Sequence, residues 1–315
     1  MDQMTQDKTV RVAITKESFN YFFHFYYAHY VKYATADFQK EIIHLLEMND
    51  YENLFVGAFR GSGNSSMVTT ASPSWAILGK QEKKFVIIFC QTQAQAKQHM
   101  MNLRRELEDN ELLKKDLGPF REDSDEWGSH SLVFSNSGAR ITVASSEQSI
   151  RGLRHHEHRP DLIICDDVED ITSTKTRESR NKTYQWLKGE VIPAGDKNTR
   201  LIVVGNLLHE DSLLMRLKAD IDSNNADGHF LFFPLINDKG DCLWPGKYPT
   251  DKDIETERKK ISDDIAWQRE YLLNIIPDED QVIHPGWIQR YKVDQLPPTN
   301  HKAFRGTYSG ADLAI

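Results

Sequence analysis

Short apolar runs alternate with longer amphipathic segments over much of the chain. Four apolar runs predict strands, at residues 53–59, 85–90, 161–165 and 201–205. The segments between them repeat apolar positions every three or four residues, which predicts helices at roughly 65–78, 93–110, 175–191 and 211–220. Strands that alternate with helices in this way form parallel sheets with crossover helices. The pattern predicts an α/β fold with a mainly parallel sheet flanked by helices.

The region before the first strand predicts a helical segment over residues 1–50. Its aromatic side chains recur at three- and four-residue spacing, which places them on one face of a helix. They are Phe19, Phe22, Phe23, Tyr26, Tyr27 and Tyr30. We expect this face to pack on the core rather than to form an aromatic binding platform. A second helix is predicted at residues 38–47.

The remainder of the chain divides at its turns and prolines. Residues 51–280 are predicted to form the main domain, with a hairpin of residues 131–134 and 139–144 around Asn136-Ser137-Gly138. The Pro/Gly-rich stretch 244–249 interrupts regular structure, and helices are predicted again at 251–262 and 266–273. Pro297-Pro298 marks a linker over residues 281–305, and residues 306–315 predict the first strand of another domain.

Composition narrows the class of protein. Apolar residues make up 39% of the 315 positions and charged residues 27%, as in a soluble globular protein. The net charge of −8 disfavours a protein that coats nucleic acid, because such binding depends on Lys and Arg. A local basic groove remains open at residues 151–159, which hold three arginines and three histidines.

The sequence lacks the features of secreted, membrane-spanning and zinc-binding proteins. It shows no secretory signal and no apolar run of about 20 residues, so we expect no membrane association. The three cysteines never form a C-x-x-C pair, which disfavours disulfides and zinc. His155, His156 and His158 are almost consecutive and cannot all point at one ion, so a metal other than Mg²⁺ is disfavoured there.

A glycine-rich turn lies between the first predicted strand and the next helix. Its residues are Arg60, Gly61, Ser62, Gly63, Asn64, Ser65 and Ser66. Small residues let backbone N–H groups wrap phosphates, and the helix N-terminus adds its dipole. The turn departs from G-x-x-x-x-G-K-[ST] in having Ala58 for the first glycine and Asn64 for the lysine. Ser65 keeps the hydroxyl that reaches Mg²⁺, and Arg60 can bring positive charge into the loop.

An acidic cluster ends the strand predicted at residues 161–165. Asp166 is placed to hold Mg²⁺, and a following acid, Asp167 or Glu169, can orient or deprotonate the attacking water. The alternative is a solvated acidic loop after a core strand. Together with the glycine-rich turn, the cluster predicts a P-loop NTPase that uses ATP and Mg²⁺.

Several motifs then resemble the large terminases, the ATP-driven motors that push viral DNA into an empty capsid. Residues 151–154 and 159–170 resemble the signature of the phage branch whose strand ends in two aspartates. Residues 201–214 resemble the coupling motif of that family, with Asn206 where the family usually has Thr. Residues 244–245, 267–274 and Pro277 resemble the tail of the ATPase domain. The resemblance covers residues 38–312, with the motifs in family order.

The resemblance implies further site residues. Phe38 would stack on the adenine and Gln39 would bond its edge, the alternative being a core Phe38 and an exposed Gln39. Asn206 would act as a polar sensor. Arg151 and Arg154 would supply charge to a neighbouring subunit's transition state or bind DNA phosphate, unless they are ordinary surface arginines.

It also implies that residues 306–315 are the start of an RNase H-like nuclease domain. Asp312 would there join later carboxylates to hold two metal ions. Because the chain ends three residues after Asp312, we expect a truncated nuclease domain and no DNA cleavage by this chain.

The resulting expectation is a terminase large subunit ATPase, weakened by Asn64, that acts in the host cell cytoplasm of a phage or prophage. The implied partners are double-stranded viral DNA, a portal protein, a small terminase subunit and copies of this chain in a ring on the procapsid. One alternative is a catalytically defective prophage remnant that binds nucleotide or partners without turnover. Another is a helicase-like ATPase, which is expected to carry a second motor domain.

Overall fold

The structure, a computed structural model, describes residues 6–48, 53–121, 126–148, 150 and 152–275. Arg151, the predicted linker 281–305, the predicted nuclease strand 306–315 and Asp312 lie outside these residues.

One sheet organises the described part of the chain. Its strands are β1 (Asn53–Ala58), β2 (Phe85–Cys90), β3 (Ser131–Phe134), β4 (Ala139–Ser145), β5 (Leu162–Asp166), β6 (Arg200–Gly205) and β7 (His229–Phe233). They lie in the order β3-β4-β2-β5-β6-β1-β7. Only the β3–β4 hairpin is antiparallel, and the other neighbouring strands of the sheet pair in parallel. The predicted α/β fold with a mainly parallel sheet is confirmed.

Helices cover both faces of this sheet. They are α1 (Lys8–Glu17), α2 (Phe19–Tyr26), α3 (Asp37–Glu47), α4 (Ser72–Leu78), α5 (Gln93–Asp109), α6 (Glu111–Leu117), α7 (Ile171–Lys175), α8 (Arg177–Trp186), α9 (Ile192–Ala194), α10 (Leu213–Asp222), α11 (Asp251–Ile261) and α12 (Asp264–Glu270). A 3₁₀ turn follows α2 at Ala28–Tyr30, and π-helical stretches precede α4 at Ser65–Ala71 and α9 at Leu187–Val191. Wide π turns of this kind often occur at functional sites.

Two predicted helices differ from the observed ones. The helix predicted at residues 65–78 begins as a π-helix and becomes α-helical only at Ser72. The helix predicted at 175–191 is interrupted at Thr176, whose side chain accepts a hydrogen bond from the Ser179 N–H and so caps a new helix. Local hydrogen bonds of Ser and Thr side chains thus decide boundaries that apolar spacing does not show.

The alternation of side chains along the strands builds a core on each face of the sheet. In β2, Val86 and Ile88 join the larger apolar cluster, whereas Phe85, Ile87 and Phe89 join a second cluster on the opposite face. Because both faces are buried, the strands read as continuous apolar runs rather than as alternating ones. This is why the strand positions could be predicted from the sequence.

The aromatic face of the N-terminal helices belongs to the larger cluster. Phe19 and Phe22 are fully buried, as is Tyr27, so the predicted packing on the core is confirmed. The preceding helix α1 is polar and is fixed by a buried ion pair, in which Arg11 Nε lies 2.6 Å from Asp116 Oδ2. No helix among the described residues is long and apolar enough to cross a membrane.

The strand order determines where the functional residues meet. β6 lies between β1 and β5 and runs parallel to both, so the carboxyl ends of the three strands share one edge of the sheet. The glycine-rich loop follows β1, Asn206 follows β6, and Asp166 ends β5. Ligands of open α/β sheets bind at this edge.

Candidate functional site

A cavity of about 560 Å³ opens at the carboxyl edge of the sheet. It brings together most of the predicted site residues. These are Arg60, Gly61, Ser62, Gly63, Asn64, Ser65, Ser66, Asp166, Asp167, Glu169 and Asn206. Phe38 and Gln39 do not line it.

The loop after β1 has a backbone that only glycine adopts readily. Gly61 and Gly63 have φ angles of +76° and +90°, in the left-handed region that penalises other residues. A Cβ at Gly61 would lie 3.1 Å from Lys247 Nζ. Within the described chain the N–H groups of these two glycines donate no hydrogen bond. The loop therefore offers backbone donors of the kind that cradle phosphates.

The polar side chains of the loop, Asn64 and Arg60, differ in whether they have a hydrogen-bond partner. Asn64 Oδ1 is buried and has no hydrogen-bond partner among the described residues. The Arg60 side chain is 73% exposed, with Nη1 3.5 Å from Glu270 Oε2. The Arg60 N–H also donates to the Glu270 carbonyl oxygen at 2.8 Å. Arg60 can thus reach the cavity, but its guanidinium points to a carboxylate on α12 here.

Asp166 lies at the centre of the acidic side of the cavity. Its Oδ2 accepts a hydrogen bond from Thr69 Oγ1 at 2.6 Å, and its Oδ1 lies 3.5 Å from Ser65 Oγ. His99 Nε2 on α5 is 3.6 Å from Oδ2. Burial raises the pKa of Asp166 above its ordinary value, and the two hydroxyl donors oppose this shift. A cation in the cavity would favour the ionised form.

Asp167 turns the chain at the end of β5. Its φ of +46° is unusual for a residue with a Cβ, and its N–H donates to the Val204 carbonyl on β6. Burial, and then the charge of Asp166, raise the pKa of Asp167. Its carboxylate faces β6, where a Cβ at Gly205 would lie 3.4 Å from Oδ1.

Glu169 has one engaged and one unengaged oxygen. Oε2 accepts a hydrogen bond of 2.8 Å from the Leu213 N–H at the start of α10. Oε1 is buried and has no partner among the described residues. Burial raises the pKa of Glu169 to about 7, against the Leu213 hydrogen bond and the charges of Arg216 and Arg180. A carboxylate with this pKa is suited to accept a proton near neutral pH.

The buried carboxyl of Glu169 should cost stability at high pH. Its pKa is raised from 4.5 to about 7, so the folded state keeps the proton that the unfolded state releases between these values. Stability is therefore lost as the pH rises from about 4.5 through about 7, by on the order of 3 kcal/mol. The amide oxygen in Glu169→Gln can still accept the hydrogen bond from the Leu213 N–H, but the side chain cannot ionise. We expect this variant to melt a few degrees above the original protein at pH 8 and close to it at pH 5, by thermal unfolding.

Glu147→Gln, at an exposed turn after β4, is the matched control and should not change the melting temperature at either pH. A gain for Glu169→Gln that is equal at pH 5 and pH 8 would show that ionisation is not its cause.

Asn206 is held by the same carboxylate as Arg60. Its Nδ2 donates to Glu270 Oε2 at 2.6 Å, and its Oδ1 accepts from the Leu207 N–H at 2.8 Å. Glu270 Oε1 accepts from Arg269 Nε at 3.1 Å. Glu270 therefore links the end of β6 to the loop after β1.

Phe38 and Gln39 support the loop from behind. The Phe38 ring is 4% exposed and packs against Phe59, Phe233 and Trp244, so it offers little surface to a base. Gln39 is 6% exposed, and the exposed position considered for it is wrong. Its Nε2 donates to the Ser62 carbonyl at 2.7 Å and its Oε1 accepts from the Ala36 N–H.

The basic segment is only partly described. Arg151 lies outside the described residues, and Arg154 is exposed. His155 is buried, with Nε2 2.8 Å from the Gly138 carbonyl oxygen. Among the described residues no group of three His, Cys, Asp or Glu side chains is arranged to hold a metal.

Several site residues had not been identified from the sequence. Thr69 carries a local signal, since it lies four residues after Ser65 on the same helical stretch. His99 carries none, and Lys247 and Glu270 lie in segments that the sequence marks without giving these two residues a role. They lie on α5, before α11 and on α12, and only tertiary packing brings them to the loop and to Asp166.

No protein-family profile matches the chain. The terminase large subunit of Lactococcus phage SK1 is 24% identical over 201 residues, which are 61% of this chain and 34% of that protein. The chain thus spans about a third of the length of that relative. The large terminase of bacteriophage HK97 has a similar fold, with a TM-score of 0.51 at 16% identity over 76% of this chain and 50% of that chain. The large terminase ATPase domain of Thermus phage P74-26 gives a TM-score of 0.45 at 10% identity over 77% of this chain and 99% of that chain.

Proposed function

We propose that this chain, which belongs with the terminase large subunits and has the fold of their ATPase domain, hydrolyses ATP to drive double-stranded viral DNA into a procapsid. One observation carries the ATPase assignment: a single cavity joins the glycine-rich loop, the acidic cluster that begins at Asp166, and Asn206 from the end of the strand between them. This arrangement supplies phosphate binding, metal binding and activation of water in one place.

The residues present fit a magnesium nucleotide. The N–H groups of Gly61 and Gly63, which donate no hydrogen bond within the described chain, suit phosphate oxygens. Ser65 Oγ and Asp166 provide the hard oxygen ligands that Mg²⁺ takes. Other ligands would come from phosphate and water, as is usual for this ion. Bound Mg²⁺ would neutralise charge on the phosphates during transfer.

Glu169 is the better placed of the two candidates for activating water. Its Oε2 is anchored on the Leu213 N–H, whereas its Oε1 has no partner among the described residues, so the carboxylate is oriented and still has a free acceptor. Its pKa of about 7 also matches a general base. Asp167 lies next to Asp166 and faces β6, which suits positioning of the metal's water shell.

The nucleoside would occupy a second cavity, of about 200 Å³, beside the same loop. Tyr33, Gln39 and Trp244 line it, and aromatic rings there can stack on a base. The Gln39 amide forms part of the wall of this cavity, and its Nε2 donates a hydrogen bond to the Ser62 carbonyl oxygen. Phe38 would act indirectly, by packing beneath Trp244.

The partners in this proposal are those that the resemblance to terminases implies. The partners would be a portal protein, a small terminase subunit and further copies of this chain in a ring on the procapsid, in the host cell cytoplasm. Arg151 and Arg154 would bind DNA phosphate or serve the neighbouring subunit's site. Asp312 would hold a metal in the nuclease domain.

Phosphate release by the purified chain tests the proposal. We expect hydrolysis that requires Mg²⁺, is slower than about 1 s⁻¹ because Asn64 replaces the loop lysine, and rises when double-stranded DNA is added. The Asp166→Asn variant, purified in the same way, is the control for contaminating ATPases. Failure to bind ATP at millimolar concentration would contradict the ATPase assignment, and hydrolysis that ignores DNA would contradict the motor.

Asn64 favours a second candidate, a protein that binds nucleotide without turnover. Its side chain carries no charge, and its buried Oδ1 lacks a partner among the described residues. Tight ATP binding with no phosphate release, with or without DNA, would select this candidate.

A further inference from the structure

We propose that Lys247, from the segment between β7 and α11, is the cation that binds the nucleotide phosphates in place of the missing loop lysine. This inference rests on the proposed ATPase function and names a phosphate-binding residue that the loop sequence does not contain.

Lys247 already contacts the phosphate-binding loop. Its Nζ donates a hydrogen bond of 2.9 Å to the Gly61 carbonyl oxygen. Together with Gly61, Gly63 and Ser66 it lines the second cavity, and these three loop residues also line the larger cavity. A nucleotide with its base in one cavity and its phosphates in the other must cross the loop beside this amine.

The ammonium group of Lys247 forms no ion pair with the described residues. No carboxylate of the described residues lies within 4 Å of its Nζ. The neighbouring Glu257 is engaged by Lys260 at 2.8 Å and by the Tyr271 hydroxyl at 3.1 Å. Burial lowers the pKa of Lys247, against the charge of Glu257, and phosphate oxygens would supply a closer counter-charge to this half-buried ammonium.

The ammonium of Lys247 lies over two aromatic rings beside the loop. Nζ lies 5.0 Å from the Trp244 ring centroid and 5.2 Å from that of Tyr248, within the range of cation–π attraction. These rings fix the direction of approach to Gly61. Rotation about the terminal bonds of the side chain can exchange the carbonyl partner for a phosphate oxygen without moving the backbone.

Arg60 is a poorer candidate for this role in the described structure. Its side chain is largely exposed and pairs with Glu270, which also binds Asn206. To reach phosphate, Arg60 must leave a carboxylate, whereas Lys247 leaves a neutral carbonyl. A charge-assisted bond to phosphate is stronger than the bond to a neutral acceptor.

The test compares Lys247→Met with the original protein in binding ATP, ADP and adenosine, by competition with a fluorescent ATP analogue. Met has an unbranched side chain of similar length and removes the charge. We expect ATP and ADP to bind about 10- to 100-fold more weakly, with adenosine unchanged. Lys247→Arg should retain most of the affinity, and Lys252→Met, an exposed lysine on α11, should bind all three as before.

Asn64→Lys supplies a second arm of the test. If Lys247 replaces the loop lysine, Asn64→Lys should restore ATP affinity in the Lys247→Met background by a larger factor than it changes the original protein. Equal loss of adenosine and ATP in Lys247→Met would mean a structural role only and overturn the proposal, as would unchanged ATP binding or equal factors in the two backgrounds. An original protein that binds no ATP would instead contradict the ATPase assignment itself.

Discussion

Asp166→Asn is expected to abolish Mg²⁺-dependent nucleotide binding and to lower hydrolysis by at least about 10²–10³-fold, the range for loss of one electrostatic contact in a site. The carboxylate ends β5 and is reached by the hydroxyls of Ser65 and Thr69. Asn preserves the shape and one acceptor, but it removes the charge that holds a cation. Titration of Mg²⁺ against fluorescent ATP binding and phosphate release measures both effects.

The fold should survive this change. The pKa of Asp166 is raised by burial, so the carboxylate is costly in the absence of a cation, and a neutral amide removes that cost. Asp238→Asn, the same substitution at an exposed turn after β7, is the matched control and should leave Mg²⁺ affinity and turnover unchanged. Unchanged Mg²⁺ affinity and turnover in Asp166→Asn would show that another carboxylate holds the metal.

The sheet could be predicted because its strands are buried on both faces. Runs such as residues 85–90 are apolar at every position, and the observed β2 has the same limits. The meeting of the loop, Asp166 and Asn206 also follows from the sequence, because parallel strands in one sheet bring their carboxyl ends to one edge. Both features depend on the local pattern of apolar residues and on the way parallel strands are connected in an α/β sheet.

What could not be predicted depends on contacts between distant segments. Gln39 was considered either as an adenine contact or as exposed, and its hydrogen bond to Ser62 depends on how α3 packs against the loop. Glu270 is separated from Arg60 by 210 positions in the sequence, and the motif at residues 267–274 gives no sign of this contact. Lys247 stands in a Pro/Gly-rich stretch that the sequence marked only as a break in regular structure.

We propose that the same contacts transmit the occupancy of the phosphate-binding loop to β6. Glu270 binds Asn206 through Nδ2 and Arg60 through Nη1 with one oxygen. If phosphate draws Arg60 away, that oxygen is left to Asn206 alone, so the end of β6 senses the occupancy of the loop. In this proposal Asn206 would act as the polar sensor, at the position where the resemblance to large terminases implies Thr.

Asn64→Lys is expected to raise kcat by on the order of 10²-fold. A lysine at the start of the helix after the loop adds a point charge beside the phosphates, and stabilisation of charge in the transition state supplies much of the rate enhancement in such sites. Asn64 lines the 560 Å³ cavity, which leaves space for the longer side chain. Single-turnover and steady-state phosphate release with saturating Mg·ATP measure the change.

Asn64→Met separates charge from length, since it places a side chain of similar reach in the cavity without the ammonium, and it should not accelerate hydrolysis. An original protein that already turns over at about 1 s⁻¹ or faster, within the usual enzyme range, would show that Arg60, or the Lys247 proposed to bind the phosphates, also stabilises the transition state. In that case Arg60→Met and Lys247→Met identify the source, because the variant that slows hydrolysis most, and that Asn64→Lys rescues, carries the charge that Asn64 lacks.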